Sequence, residues 1–209
     1  MTRQRSTRFP RPARVVISAL AVVATVLTGP AEAAEEKAPL APVTGALFNQ
    51  PTGTTAEQYR IRDHIRALVD AAPAGSAITM SIYNITDHER GFADAVIAAA
   101  GRGVRVRAVF ESTNAGTGSA QAIIAALGRD RTKPSWAVVC TEGCMGSKIN
   151  HNKFFLFSEV SGQANVVVQT SANLTISNAE KFWNNAVTIV GNSALYQAYL
   201  DYFEDLARN

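Results

Sequence analysis

Cysteine, histidine and clustered carboxylates are all scarce in this chain, and each shortage removes a class of function. Cys140 and Cys144 are the only cysteines, two ligands short of a structural zinc site. His64, His88 and His151 are the only histidines, and no cluster of Asp and Glu stands ready to hold a divalent ion. No metal and no other cofactor is therefore expected. The stretch from Ser112 to Gly118, rich in Thr, Asn and Gly, lacks a nucleotide-binding glycine pattern and reads as a rim loop. After the first residues there is no internal repeat, no heptad pattern and no low-complexity tract.

A surplus of positive charge is also missing once the start of the chain is set apart. Arg3, Arg5, Arg8, Arg11 and Arg14 form a basic opening, Val15 to Leu27 is uncharged and apolar, and Ala31-Glu32-Ala33 supplies a small-x-small cleavage pattern. Residues 1–33 are thus expected to be a secretory signal peptide, too short in its apolar part for a comfortable membrane span. No adjacent Arg pair marks the twin-arginine route. The whole chain is formally +3, and the five Arg and one Glu of this segment leave about −1 on the remainder. A basic nucleic-acid footprint is not expected on that balance. The destination is extracellular, with no stable membrane anchor. In that oxidising setting Cys140 and Cys144 are expected to form a disulfide, closed by a turn at Gly143 and shaping a rim more than stabilising the fold.

The remaining 176 or so residues suffice for one domain with a real core. Residues 34–47, rich in Ala, Pro and Glu, read as a flexible lead-in, and the domain is expected over 48–209. Thr55 to Ala72 carries an apolar stripe of Tyr59, Ile61, Ile65, Leu68 and Val69, the pattern of an amphipathic helix. Strands are expected at Ala77–Ile85 and Val104–Phe110, with helices from about His88 to Ala100 and from Ser119 to Leu127. Four further strands follow at Ser135–Cys140, Lys153–Phe157, Asn165–Gln169 and Asn185–Val190, joined mostly by loops. Asn192 caps a last helix over Ser193–Ala207. Early βα alternation predicts an α/β fold: a mixed, largely parallel sheet flanked by helices on both faces.

Chemistry concentrates around the strand at Lys153. His151 and Lys153 stand two residues apart, so both point to one side of it. The next strand, through Val166-Val167-Val168, ends in Thr170-Ser171-Ala172-Asn173. Imidazole, ammonium, hydroxyl and carboxamide delivered to one rim suit a phosphate group.

His-x-Lys followed by Ser-x-Asn at the end of the next strand resembles the phospholipase D superfamily, whose signature is His-x-Lys-x4-Asp and then Gly-Ser-x-Asn. The resemblance spans roughly residues 48 to 208 and implies a phospholipase D-like half-domain. It further implies a catalytic pair, His151 as nucleophile with Lys153, and a phosphate-binding set of Ser171, Asn173 and Asn184. Three positions depart from the pattern. Ser158 stands where the signature has Asp, and Thr170 where it has Gly. Trp183-Asn184-Asn185 occupies the place where the superfamily often has a carboxylate that orients the imidazole.

The superfamily mechanism resembles a two-histidine scheme, one nucleophile and one acid for the leaving oxygen. Only His151 sits in a motif; His64 and His88 are expected at helix surfaces or ends. One chain therefore supplies half a site, completed either by a homodimer about the active site or by a lost second half of a two-motif enzyme. Phe182 and Trp183 are expected in the core and Lys148 in solvent; Glu111, at the end of the second strand, stands where α/β sheets place functional groups or equally as a solvated loop residue, and stays outside the site. The expected function is a secreted phosphodiesterase acting on phospholipid head-group esters through a phosphohistidine. The alternatives are a secreted nuclease of the same chemistry, with nucleic acid the less expected partner, and a catalytically incomplete half-domain that only binds phosphate-bearing ligands.

Overall fold

The computed structural model describes residues 41–86 and 90–208. The expected signal segment, the first half of the lead-in (34–40) and His88 lie outside the described residues.

The first ordered element is a strand that composition hid. Gly45–Phe48 forms β1 and pairs antiparallel with Asn185–Ile189, β7, so the stretch expected to be a lead-in enters the sheet at its end. Thr54 then caps a short helix α1, Thr55–Gln58, through a capping box with Glu57. Tyr59 leaves the helical region at φ −94°, ψ 9°, which divides the expected single helix into α1 and α2, Arg60–Ala71. The apolar stripe survives the break: Ile61, Ile65, Leu68 and Val69 are all buried.

Next come β2 Ala77–Ile82, α3 Arg90–Gly101, β3 Arg105–Phe110, α4 Gly118–Leu127 and β4 Trp136–Val139, the expected βα alternation. The rhythm then changes to β5 Lys153–Val160, β6 Gln163–Thr170, a five-residue helix α5 Ile176–Glu180, β7, and α6 Ser193–Ala207. Asn192 caps α6, accepting from the Leu195 N–H at 3.0 Å. The turn between β5 and β6 is held by Ser161 and Gly162, both at positive φ, the backbone that a two-residue hairpin requires.

The seven strands make one mixed sheet in the order β1-β7-β6-β5-β2-β3-β4. Its parallel share is smaller than expected. Only β2–β3 and β3–β4 run parallel, because strands β5 to β7 lack the long crossovers that parallel pairing needs. Helices cover both faces. Phe155 and Phe157 face the core beneath α2, α3 and α4, whereas Phe154 and Leu156 face α6. With both sides covered, β5 has no polar alternation until Ser158, and each buried Phe contributes on the order of 2 kcal/mol. Among the described residues no helix is long and apolar enough to cross a membrane.

The registers position the site. Lys153 pairs with Ile82, and Ile82 with Phe110, so the start of β5 lies beside the carboxyl ends of β2 and β3. The end of β6 and the start of β7 meet the same edge.

Candidate active site

His151 and Lys153 stand together at this edge. The Lys153 ammonium lies 3.1 Å from His151 Nδ1 and donates to the His151 carbonyl at 2.9 Å. Lys153 is only 3% exposed, and among the described residues it has no carboxylate partner. Its third neighbour is the Tyr83 ring, whose centroid lies 5.3 Å from Nζ. Burial accordingly lowers its pKa from 10.5 to about 8. The His151 pKa is also lowered, first by burial and then by the Lys153 charge. Tyr83 fixes the imidazole by an edge contact, ring centroids 4.4 Å apart. With Nδ1 accepting from the ammonium, the ring proton resides on Nε2. A buried cation with no counter-ion among the described residues, beside an exposed imidazole, is an arrangement that an anionic ligand completes.

Ser171 and Asn173 follow β6 at the same edge, since one residue beyond the Phe154–Gln169 pair Lys153 stands opposite Thr170. The Ser171 hydroxyl donates to Asn184 Oδ1 and accepts from the Asn185 N–H, both at 3.0 Å. The Asn173 carboxamide oxygen is buried with no hydrogen-bond partner, as are Asn84 Oδ1 and Thr86 Oγ1. These three flank the Ile85–Leu174 bridge that ties the loop after β2 to the loop after β6. Thr170, in place of the signature glycine, is used structurally: its hydroxyl donates to the Asn185 carbonyl and accepts from the Ala172 N–H. The His–Lys pair and the Ser–Asn pair share the edge without a direct hydrogen bond between them among the described residues.

Ser158 and Asn184, two of the departures from the signature, lie apart from each other and neither bonds to the imidazole. Ser158 is not near the imidazole. It closes the far end of β5, accepting from the Ala77 N–H at 2.8 Å, and five strand residues separate it from Lys153 by roughly 16 Å. Asn184 is at the correct edge, but its amide is consumed by its own loop. Nδ2 donates to the carbonyls of Asn178 and Phe182, and Oδ1 accepts from Ser171. Neither supports His151 within the chain.

Asn49 holds that loop and gave no sequence signal. It is 2% exposed. Its Nδ2 donates to the carbonyls of Asn178, Ala179 and Phe182, while Oδ1 accepts from the Asn184 N–H. Asn150 is a second residue that sequence alone did not flag. Buried beneath His151, it donates to Ser81 Oγ and to the sulfurs of Cys140 and Cys144, and accepts from both nitrogens of Asn152.

The Cys140–Cys144 disulfide is present, so the expected bridge sits under the histidine loop. Closing a five-residue loop contributes about 2 kcal/mol. Exchanging both cysteines for serine is therefore expected to lower the unfolding free energy by about that amount, measured by denaturant titration.

Phe182 and Trp183 correct the core assignment. They are 55% and 70% exposed, directly before Asn184. Met145 and Ile149, in the loop leading to His151, are exposed as well. Glu111 is fully buried and not solvated. Burial alone would raise its carboxyl, but hydrogen bonds from Thr113, Ser112 and Asn114 outweigh that and lower it, fastening the rim turn after β3. His64 is half-buried, its Nε2 2.8 Å from Thr188 Oγ1, away from the rim, and burial lowers its pKa. Among the described residues no group of three or more His, Cys, Asp or Glu could hold a metal ion.

Comparison with known proteins agrees with this frame. Comparison with curated protein sequences gave no match. Among solved structures, the phospholipase D family member Nuc from Salmonella typhimurium superposes with a TM-score of 0.55 at 20% identity, covering 78% of this chain and 92% of its own. NucT from Helicobacter pylori gives 0.58 at 15% identity, covering 79% and 97%. A family model described as the cardiolipin synthase, PLD-like domain matches residues 65–207. That span holds His151, Lys153, Ser171 and Asn173 on one sheet edge, and the chain belongs to the phospholipase D-like domain family.

Proposed function

We propose that the protein is an exported phosphodiesterase that hydrolyses phospholipid head-group esters through a phosphohistidine on His151. The observation that carries the reaction class is the buried Lys153 ammonium, without a counter-ion among the described residues and in contact with the His151 ring. A substrate phosphate supplies the missing charge. As Lys153 turns to a phosphate oxygen, Nδ1 is freed to carry the ring proton and Nε2 becomes the nucleophile. Nε2 forms a bond to phosphorus while the bond to the head-group oxygen breaks, and that oxygen takes a proton from a second imidazolium. Water then attacks phosphorus, the phosphorus–nitrogen bond breaks, and the second imidazole accepts the water's proton.

His151 of a second copy, related by a two-fold axis at the rim, would supply that imidazole. Ser171, Asn173 and Asn184 donate to the phosphate oxygens in this scheme, Ser171 by exchanging its bond to Asn184 Oδ1 for the ligand and Asn184 by turning Nδ2 away from the Asn178 and Phe182 carbonyls. Export is supported by the Arg-rich, apolar and Ala-x-Ala opening of the chain together with the disulfide.

Lipid is favoured over nucleic acid by the exposed Trp183, Phe182, Met145 and Ile149 around the rim. An apolar collar next to a phosphate site fits an aggregated lipid, and the exposed Lys148 and Lys181 of the same two loops are few for a polyanion, whose binding rests on many Lys and Arg contacts. The test sets choline release from phosphatidylcholine vesicles beside plasmid degradation, both in chelator. Vesicle turnover is expected, and Trp183→Ala should lower it about tenfold while leaving a water-soluble phosphodiester such as bis(p-nitrophenyl) phosphate unaffected. Faster cleavage of plasmid than of vesicles would establish the nuclease reading. Light scattering should report a dimer; an inactive monomer would establish the non-catalytic half-domain.

A further inference from the structure

The end of the sheet opposite His151 carries a cleft that phosphodiester hydrolysis does not use. Its volume is about 460 Å³, and its lining includes Arg105, Arg107, Arg131, Lys133, Ser158 and Tyr196. Arg105 and Arg107 project from the first half of β3 toward α6, on the side opposite the main core. Arg131 and Lys133 come from the loop that precedes β4, and Tyr196 from the first turns of α6. Because β2 and β5 run antiparallel, Ala77 and Ser158 lie at this end while Ile82 and Lys153 lie at the other.

The charges in the cleft are unbalanced. Arg107 is paired with Glu204 and also donates to Thr79 Oγ1. Arg105, Arg131 and Lys133 make no side-chain hydrogen bond or ion pair among the described residues. The nearest acid in sequence, Asp130, is already held by the Thr132 N–H and hydroxyl. The Tyr196 hydroxyl likewise makes no hydrogen bond among the described residues. Its pKa is raised by burial, with Arg107 and Arg105 pulling it back, which places the hydroxyl among the same cations.

Ser158 explains why the imbalance exists. The family signature has Asp at this position, and Ser158 lies on the cleft floor, bonded to the Ala77 N–H while Ala77 pairs with Arg105. A carboxylate there would face Arg105 across one strand and offset part of the positive charge. Serine leaves the cleft with three cations to spare, in a chain whose expected mature net charge is slightly negative.

We propose that this cleft is a second, non-catalytic site for a phosphate-bearing ligand, a multiply charged oxyanion gripped by Arg105, Arg131 and Lys133 with Tyr196 donating from the floor. Guanidinium forks suit phosphate oxygens in pairs, and cations arriving from β3 and from the loop before β4 converge on one compact anion. The same chemistry serves an anionic lipid head group or a free phosphate compound, and the cleft stands on its own geometry whatever the catalytic rim acts on.

The experiment uses the His151→Ala, Lys153→Met protein, so that binding at the catalytic rim is removed. Calorimetric titration with inorganic pyrophosphate at low salt is expected to show saturable binding in this background. Ser158→Asp, which installs the signature residue, should weaken it at least about tenfold, and so should Arg105→Ala, an exposed change that leaves the core intact. Both single variants in the otherwise natural chain should turn over a soluble phosphodiester at the unaltered rate, which shows that they fold. Displacement of pyrophosphate by vesicles of phosphatidylcholine mixed with phosphatidylglycerol, and not by phosphatidylcholine alone, would identify a lipid head group as the source. Indifference to both vesicles would identify a free phosphate compound. Absence of pyrophosphate binding in the double variant, or binding untouched by Ser158→Asp and Arg105→Ala, would overturn the proposal.

Discussion

His151→Ala is expected to abolish hydrolysis, a fall of at least about 10⁴-fold in turnover, because it removes the nucleophile and, in a symmetric pair, the leaving-group acid as well. Stability should change by less than about 0.5 kcal/mol, since the ring is exposed and Lys153 keeps its bond to the residue-151 carbonyl. Initial-rate assays and thermal unfolding on the same preparation check both statements. Turnover within tenfold of the natural chain would remove His151 from the chemistry.

Lys153 adds a pH signature to that result. With its pKa near 8 in the free protein, the ammonium that grips phosphate is lost as pH rises through that value, so kcat/KM should fall on the alkaline side from about pH 8. Lys153→Arg keeps a charge at all accessible pH and should erase this limb at a lower maximum rate. The stability effect has the opposite sense. Between about pH 8 and 10.5 the unfolded chain holds the Lys153 proton and the folded chain does not, so the unfolding free energy rises with pH across that window. Below pH 8 both states are protonated and the burial penalty is present in full. Lys153→Met removes this contribution to the slope, which chemical denaturation at pH 7.5 and pH 10 would show.

The meeting of His151 and Lys153 at one sheet edge was legible in the sequence because strand geometry is local. His151 and Lys153 share a face by the two-residue period, and the apolar run after them could only be a strand covered on both sides. The same geometry puts Ser158 out of reach of the imidazole, against the expectation that this position bears on the histidine. Five residues of extended chain span half the domain, so the signature position marks the far end of β5 rather than the site. What stayed hidden depends on partners far along the chain. Gly45–Phe48 is too short and too flanked by Pro and Ala to read as a strand; β7 makes it one by pairing across some 140 residues. Trp183 and Phe182 carry the most apolar side chains of their loop, yet Asn49 and Asn184 turn the backbone so that both rings face solvent. The parallel share of the sheet was overestimated because hydrophobic runs report burial, not strand direction.

Asn49 is where a single exchange should cost the fold most without touching the chemistry directly. One buried carboxamide caps three carbonyls of the 178–182 segment, two of them shared with Asn184 Nδ2, and receives the N–H of Asn184. Asn49→Leu is nearly isosteric and fills the space, but it takes the side-chain partner from the Ala179 carbonyl and the Asn184 N–H in a site only 2% exposed and leaves the Asn178 and Phe182 carbonyls to Asn184 Nδ2 alone. The expected loss is about 2–4 kcal/mol, well above that of an exposed substitution. Asn49→Asp separates shape from donors. It keeps the acceptor for the Asn184 N–H but points oxygen at three carbonyls, and it should be at least as damaging as leucine. Because Asn184 accepts from the Ser171 hydroxyl, the loop's release should also raise KM for soluble phosphodiesters while the intrinsic reactivity of His151 is kept. Denaturant unfolding together with a KM-against-kcat comparison on the surviving folded fraction reads both effects. A fully stable Asn49→Leu protein would mean that the loop holds its shape without this residue, and that Ser171 and Asn184 are positioned by their own strands.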